Sequence, residues 1–200
     1  MLKPIYLLLS GILCLTFANA LFAQNPTASQ SQAAQRSGYV RPEKDVRARR
    51  YFMSMFGPTA LGIRVARAGI STWDNSPVEW GPHWEGFGKR FASNTGESVI
   101  RNTASYALDE AFKLDSHYYR SHGGFSSKVK TAITSPFIAR NKNGKKVFGF
   151  PATVGRYLGP VISNETWFPA RYSWKDGIRT GTYTMGTDIL FNLVKEFIHR

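Results

Sequence analysis

Apolar residues recur at spacings of three and four along most of the chain, and the breaks in that rhythm fall at proline and glycine. The pattern predicts about six helical units. Pro42, Glu43 and Asp45 open the first, a proline beside two acids as in an N-terminal turn, and Gly57-Pro58 ends it after Phe56. The second runs from Thr59 to Thr72, with Leu61, Val65, Ala68 and Gly69 on its apolar side and Arg64 and Arg67 directed elsewhere. Trp73 to Pro82, with Asn75-Ser76-Pro77 and Gly81-Pro82, is a loop. The third and longest unit covers Trp84 to Leu114, where Glu97 precedes Arg101, and Asp109 precedes Lys113, by one helical turn. Its small residues, Gly88, Ala92 and Gly96 among them, share one side, expected to meet a neighbouring helix, with Arg90, Asn94, Glu97 and Arg101 opposite. Val129, Ile133 and Phe137 mark a fourth helix from Ser126 to near Ala139, Pro151 starts a fifth to residue 163, and Trp174 to Ile198 forms the last.

These units imply an all-α fold, a compact bundle, in one domain spanning residues 42–200. Asn143-Gly144 among Lys142, Lys145 and Lys146 reads either as a short β-hairpin near 140–150 or as an exposed basic loop, the loop being preferred. Glycines one turn apart, Gly155 with Gly159 and Gly177 with Gly181, are expected to let helices approach closely, with self-association or interfacial insertion as sharper alternatives.

The first 23 residues differ in kind. Lys3, the apolar run Ile5 to Phe17, and the small residues of Ala18-Asn19-Ala20 and Leu21-Phe22-Ala23 read as a cleaved signal peptide, placing the protein in the periplasm or outside the cell. The single cysteine, Cys14, falls within it, so the mature chain is expected to carry no disulfide or thiol nucleophile. Residues 24–41 are rich in Gln, Ser, Ala, Thr and Pro and read as a flexible leader.

Charge changes the picture next. The chain carries a net +13, and Arg36 to Arg50 concentrates six bases against two acids. A secreted protein rarely meets nucleic acid, so the partners expected are anionic lipid or envelope polysaccharide, with Arg47, Arg49, Arg50, Trp73 and Trp84 as the membrane-surface residues. All five tryptophans stand near predicted helix ends.

Candidate chemistry is sparse. Glu110 is the one carboxylate on the small side of the third helix and is expected to be buried against an Arg or placed beside a cavity. Asp115, His117, Tyr119 and Arg120 follow at the helix end as a binding rim. His117 and His122 with Asp115 lack a further ligand for a metal, Ser127 to Lys130 matches a Ser-x-x-Lys nucleophile only in spelling, and no cofactor motif occurs.

Two segments, Pro77-Val78-Glu79-Trp80-Gly81-Pro82-His83-Trp84-Glu85-Gly86-Phe87-Gly88-Lys89-Arg90 and Asp115-Ser116-His117-Tyr118-Tyr119-Arg120, resemble a group of uncharacterised secreted helical proteins of Gram-negative soil bacteria. The resemblance would cover most of residues 45–200 and implies a helical fold and export, with no activity attached. His117 and Tyr118 stand where that group often has Pro-Arg. The expectation is a non-enzymatic cell-envelope protein, associating peripherally with an anionic membrane, an envelope polymer or itself. The alternative is a small-ligand binder or enzyme with a cavity beside Glu110.

Overall fold

A computed structural model describes residues 39–198. The signal assigned to residues 1–23, and residues 24–38 of the leader, lie outside the described residues. Within them the chain forms α1 (Lys44–Phe56), α2 (Pro58–Trp73), α3 (Trp84–Ala111), α4 (Phe125–Thr134), β1 (Ile138–Arg140), β2 (Lys146–Phe148), α5 (Phe150–Thr166) and α6 (Trp174–Ile198). The fold is all-α with one antiparallel hairpin.

Helix α3 is the axis. Successive helices α1 and α2 run back along it on one side, α5 runs back along it on the other, α6 packs on α5, and α4 packs on α6. Glycines set the two closest approaches. A methyl group at Gly155 would collide with Ser105 Oγ and the Arg101 carbonyl oxygen of α3, and one at Gly159 would lie 2.8 Å from the Glu97 carbonyl oxygen. Across the other face of α5, methyls at Gly177 and Gly181 of α6 would come within 2.6 Å of Val161 Cα and 2.5 Å of Tyr157 Cδ1. Both glycine pairs therefore pack helix against helix inside the molecule.

The buried side of α3 is nearly opposite the one expected. Gly88 and Ala92 are exposed, nothing stands within 4 Å of a methyl placed on Gly88, and Gly96 meets only the Trp167 ring. Gly86, Arg90 and Ser93 are the buried positions. On α2, likewise, Leu61 and Val65 are exposed while Arg64 and Ala68 are buried. The cause is the same in both helices, because the guanidinium groups turn inward to loop and helix-end carbonyls. Arg90, 2% exposed, donates to the carbonyl oxygens of Ser76 (2.9 Å), Pro77 (2.7 Å) and Gly81 (2.6 Å) and closes the loop between α2 and α3. Arg64 donates to the Met55 carbonyl and, at 2.8 Å, to Ser98 Oγ, joining the α1–α2 corner to α3.

Other departures are local. The third helix stops at Ala111 because Lys113 takes a left-handed conformation, φ +53°, with Lys113 N donating to the Glu110 carbonyl and Leu114 N to the Asp109 carbonyl. No glycine flags that ending in the sequence. Pro136 ends α4 in a short 3₁₀ turn, and the chain then enters the hairpin, where the sequence reading had preferred an exposed loop. Gly144 at φ +77° and the Asn141 carboxamide, which accepts from the backbone of Asn143 and Lys145, make the turn. Asp115 extends the hairpin by pairing its backbone with Arg140. The last leader residues are tied down too. Tyr39 donates to Asp115, and Arg41 donates to the carbonyl oxygens of Asp109 and Leu114 at the end of α3.

The two kinds of glycine predict opposite outcomes of one chemical change. Gly88→Ala should stabilise by up to about 1 kcal/mol, since helix entropy improves and nothing is struck. Gly155→Ala should destabilise by about 1–3 kcal/mol through overpacking of α5 on α3. Chemical denaturation of both variants checks this.

Candidate functional site

The segment that leaves α3 builds the most polar cluster of the fold. Backbone pairing with Arg140 pins Asp115, and its carboxylate accepts from Tyr119 (2.6 Å), Tyr39 (2.9 Å) and the backbone N–H of His117 (3.0 Å). Burial opposes its charge, but these donors and the nearby His117 hold its pKa below the ordinary value. The same contacts act the other way on the phenols. Burial and the Asp115 carboxylate push Tyr119 up to about 12 and raise Tyr39 still further. The Arg140 guanidinium lies over both rings, 4.7 Å and 5.2 Å from their centroids.

Glu110 faces α1. Arg47 grips it with Nε at 2.5 Å and Nη2 at 2.8 Å while also donating to the Pro42 carbonyl, and Arg41 adds a contact at 3.4 Å. These guanidinium groups, Arg47 first, lower its pKa. Glu110 is thus an anchor for α1, and its charge is already answered.

A cavity of about 230 Å³ opens between α1, α3, the start of α5 and the 114–117 segment. Glu110, Asp115 and His117 line it, so two of the four expected rim residues join Glu110 there. Tyr119 sits behind Asp115, and neither it nor Arg120 belongs to the wall. Sequence reasoning missed Asp109, Arg101 and Arg156, which do line it. Asp109 does not pair with Lys113 one turn on, because Lys113 leaves the helix in a left-handed conformation, and Asp109 accepts from Ser116 Oγ at 2.8 Å instead. Arg156 lies within the Gly155–Gly159 turn, which brings it against α6, where Nε donates to Asp188 at 2.7 Å.

Two further wall residues, Asp109 and His117, titrate well away from their ordinary values. Burial raises the Asp109 carboxyl to about 6 against the pull of its Ser116 donors. His117 is exposed at the mouth of the cavity, yet the protein packed around its imidazole desolvates the charged form, and this, with the Arg50 charge second, pushes it down to about 4. Its imidazole is neutral at pH 7.

The residues assigned to a membrane surface divide. Arg47 and Arg50 are 11% and 15% exposed at their side chains and point into the molecule, because carboxylates and a phenol there outcompete solvent. Arg49 is exposed. Trp73 and Trp84 are 88% and 84% exposed, at the end of α2 and the start of α3. The α5–α6 connection packs at this same end. The Trp167 indole donates to Ser93 at 2.8 Å, Phe168 meets Trp80 with ring centroids 4.9 Å apart, and Arg171 pairs with Glu79 at 3.0 Å. With Trp174 at the start of α6, all five tryptophans of the chain therefore gather at one end.

No family model matches the chain, and no curated protein or solved structure does either. Among the described residues no helix is long and apolar enough to cross a membrane, and no three His, Cys, Asp or Glu side chains group as metal ligands.

The two displaced titrations predict opposing pH effects. His117, depressed in the fold, contributes stability above its unfolded pKa near 6.5 that is lost as pH falls toward about 4. Asp109, raised in the fold, contributes stability below about 3.8 that is lost as pH rises through about 6. Between pH 7 and pH 5, His117→Gln should therefore lose less stability than the parent, and Asp109→Asn more. Urea unfolding at the two pH values reads both, and the His117 ring proton should titrate near pH 4 by NMR.

Proposed function

We propose that the protein is a non-enzymatic envelope protein that docks peripherally on a lipid interface by its tryptophan end. The gathering of all five tryptophans there, two of them over four-fifths exposed, carries the reading. Indole combines a large apolar face with an N–H donor, which suits the boundary between headgroups and acyl chains. Val78 at 56% and Trp174 at 51% exposure widen the apolar tip. A folded, water-soluble protein gains nothing by presenting such rings to water, whereas burying them in an interface returns their transfer free energy.

Charge has a secondary part. At the tryptophan end Lys89 pairs with Glu85 at 2.6 Å and Arg171 with Glu79 at 3.0 Å, and the exposed Asp74 and Lys175 beside Trp73 and Trp174 carry opposite signs, so the net charge there is small. The exposed Lys142, Lys145 and Lys146 lie on the hairpin at the far end of α3, roughly 40 Å away for a helix of that length. Docking by the tryptophans therefore does not require anionic lipid, and the basic end is left facing away from the surface for a second contact with anionic envelope polymer. Export, expected from the first 23 residues, brings the protein to such a surface.

Sedimentation with phosphatidylcholine vesicles, with and without phosphatidylglycerol, tests this. The protein should pellet with both and stay bound at high salt, with a blue shift of its tryptophan emission. Replacing both Trp73 and Trp84 by Ser should cut partitioning by about tenfold or more, given roughly 1.5–3 kcal/mol for each large apolar side chain buried. Binding that needs phosphatidylglycerol and is released by salt would assign the contact to the basic end instead, and recovery in the supernatant throughout would end the proposal.

A further inference from the structure

We infer that the cavity beside Glu110 is a binding site for a small oxyanion, a phosphate or carboxylate group, received by the guanidinium groups of Arg50 and Arg101. Four arginines line this cavity, and two of them are firmly held by short hydrogen bonds. Arg47 spends all three nitrogens on Glu110 and the Pro42 carbonyl, and Arg156 is held by Asp188 and, at 2.8 Å, by the Pro136 carbonyl. Arg50 and Arg101 differ. Arg101 reaches a single partner, Asp188, at 3.7 Å, and that same carboxylate oxygen already lies 2.7 Å from Arg156. Arg50 Nη1 stands 3.4 Å from the Tyr119 hydroxyl and 4.0 Å from Asp115, and its Nε is the one buried side-chain polar atom among the described residues without a hydrogen-bond partner.

That shortfall departs from the rest of the fold. Arg90 is surrounded by acceptors from five residues, and a buried guanidinium left short of them is costly. Arg50, buried and short of a partner at Nε, and Arg101, 31% exposed and held only at 3.7 Å, stand on one concave wall and suit an incoming oxyanion, which accepts from the guanidinium fork in parallel. The wall's three acids are engaged elsewhere, Glu110 by Arg47 and Arg41, Asp115 by two phenols and Asp109 by the Ser116 backbone and hydroxyl. Tyr51 and Tyr106, stacked with centroids 4.7 Å apart, add a flat apolar side for the body of an organic anion.

Isothermal titration calorimetry at constant ionic strength tests the inference, with inorganic phosphate and benzoate as probes and chloride as the background salt. At least one probe should bind saturably at one site per chain, and which one does so distinguishes a phosphate from a carboxylate ligand. Arg101→Gln, which keeps the side-chain stem against α5, should weaken that binding at least about tenfold, and Arg50→Lys, which keeps the charge but loses the fork, should weaken it as well. Arg179→Gln, at an exposed position on α6, should leave it unchanged. No saturable heat from either probe up to about 10 mM overturns the inference. Equal losses in the Arg101 and Arg179 variants overturn it too, by reducing the effect to general charge screening. The Trp73 and Trp84 replacements leave this binding intact, so the two proposals fail separately.

Discussion

The interior of this protein is organised by arginine bonded to backbone carbonyl oxygens. Each guanidinium group offers five N–H donors in a plane, and here they reach chain ends that helical bonding leaves unsatisfied. Arg90 gathers three carbonyls of the α2–α3 loop, Arg41 takes those at the end of α3, Arg156 reaches the one before the hairpin, and Arg64 ties the first helical corner to the axis. A buried charge is tolerable when dipoles surround it in this way, and losing one such hydrogen bond to a charged group typically costs about 1.5–3 kcal/mol. Lysine, with a compact ammonium, could not bridge several carbonyls in one plane. Much of the net +13 charge therefore works inside the molecule and says less about its surface than its size suggests.

Arginine bonding of this kind decides which faces are wet. With Arg64 and Arg90 turned inward, apolar side chains on the same helices are left outside, Leu61 and Val65 on α2 among them. The glycines of α5 and α6 complete the packing from the other side by bringing backbones close enough that small contacts replace large apolar ones. The core is accordingly built largely from small residues, prolines and satisfied guanidinium groups, Ala68, Ala132, Pro151 and Pro160 with Arg90, and among the described residues Leu114 is its one buried leucine.

A long central helix then gives the molecule two unlike ends. At one, two interhelical connections bring the tryptophans together, with the ion pairs Lys89–Glu85 and Arg171–Glu79 among them. At the other, the turn after α3 fastens the hairpin, the leader and α1 around Asp115 and Glu110. The proposed docking surface and the proposed ligand site thus lie at separate ends of α3, so occupation of one would leave the other accessible.

Helix positions were legible in the sequence because local chemistry sets them. Gly57-Pro58 ends α1 and begins α2, and Trp174 to Ile198 forms one helix as its periodicity predicts. Glu110 as a partner for arginine, and the meeting of Asp115 and His117 beside it, followed from one helix end and its neighbours in sequence. Helix orientation was not legible, since a hydrophobic wheel assumes that charge faces water, and Arg64 and Arg90 break that assumption by finding carbonyls donated from distant loops. The hairpin was underweighted because its third partner, Asp115, lies far away in sequence. Asp109, Arg101 and Arg156 carried no local signal, for their roles arise only where α1, α3 and α5 converge. Local patterns are set by neighbours within a turn or two, whereas burial of a charge depends on acceptors that only the folded chain brings within reach.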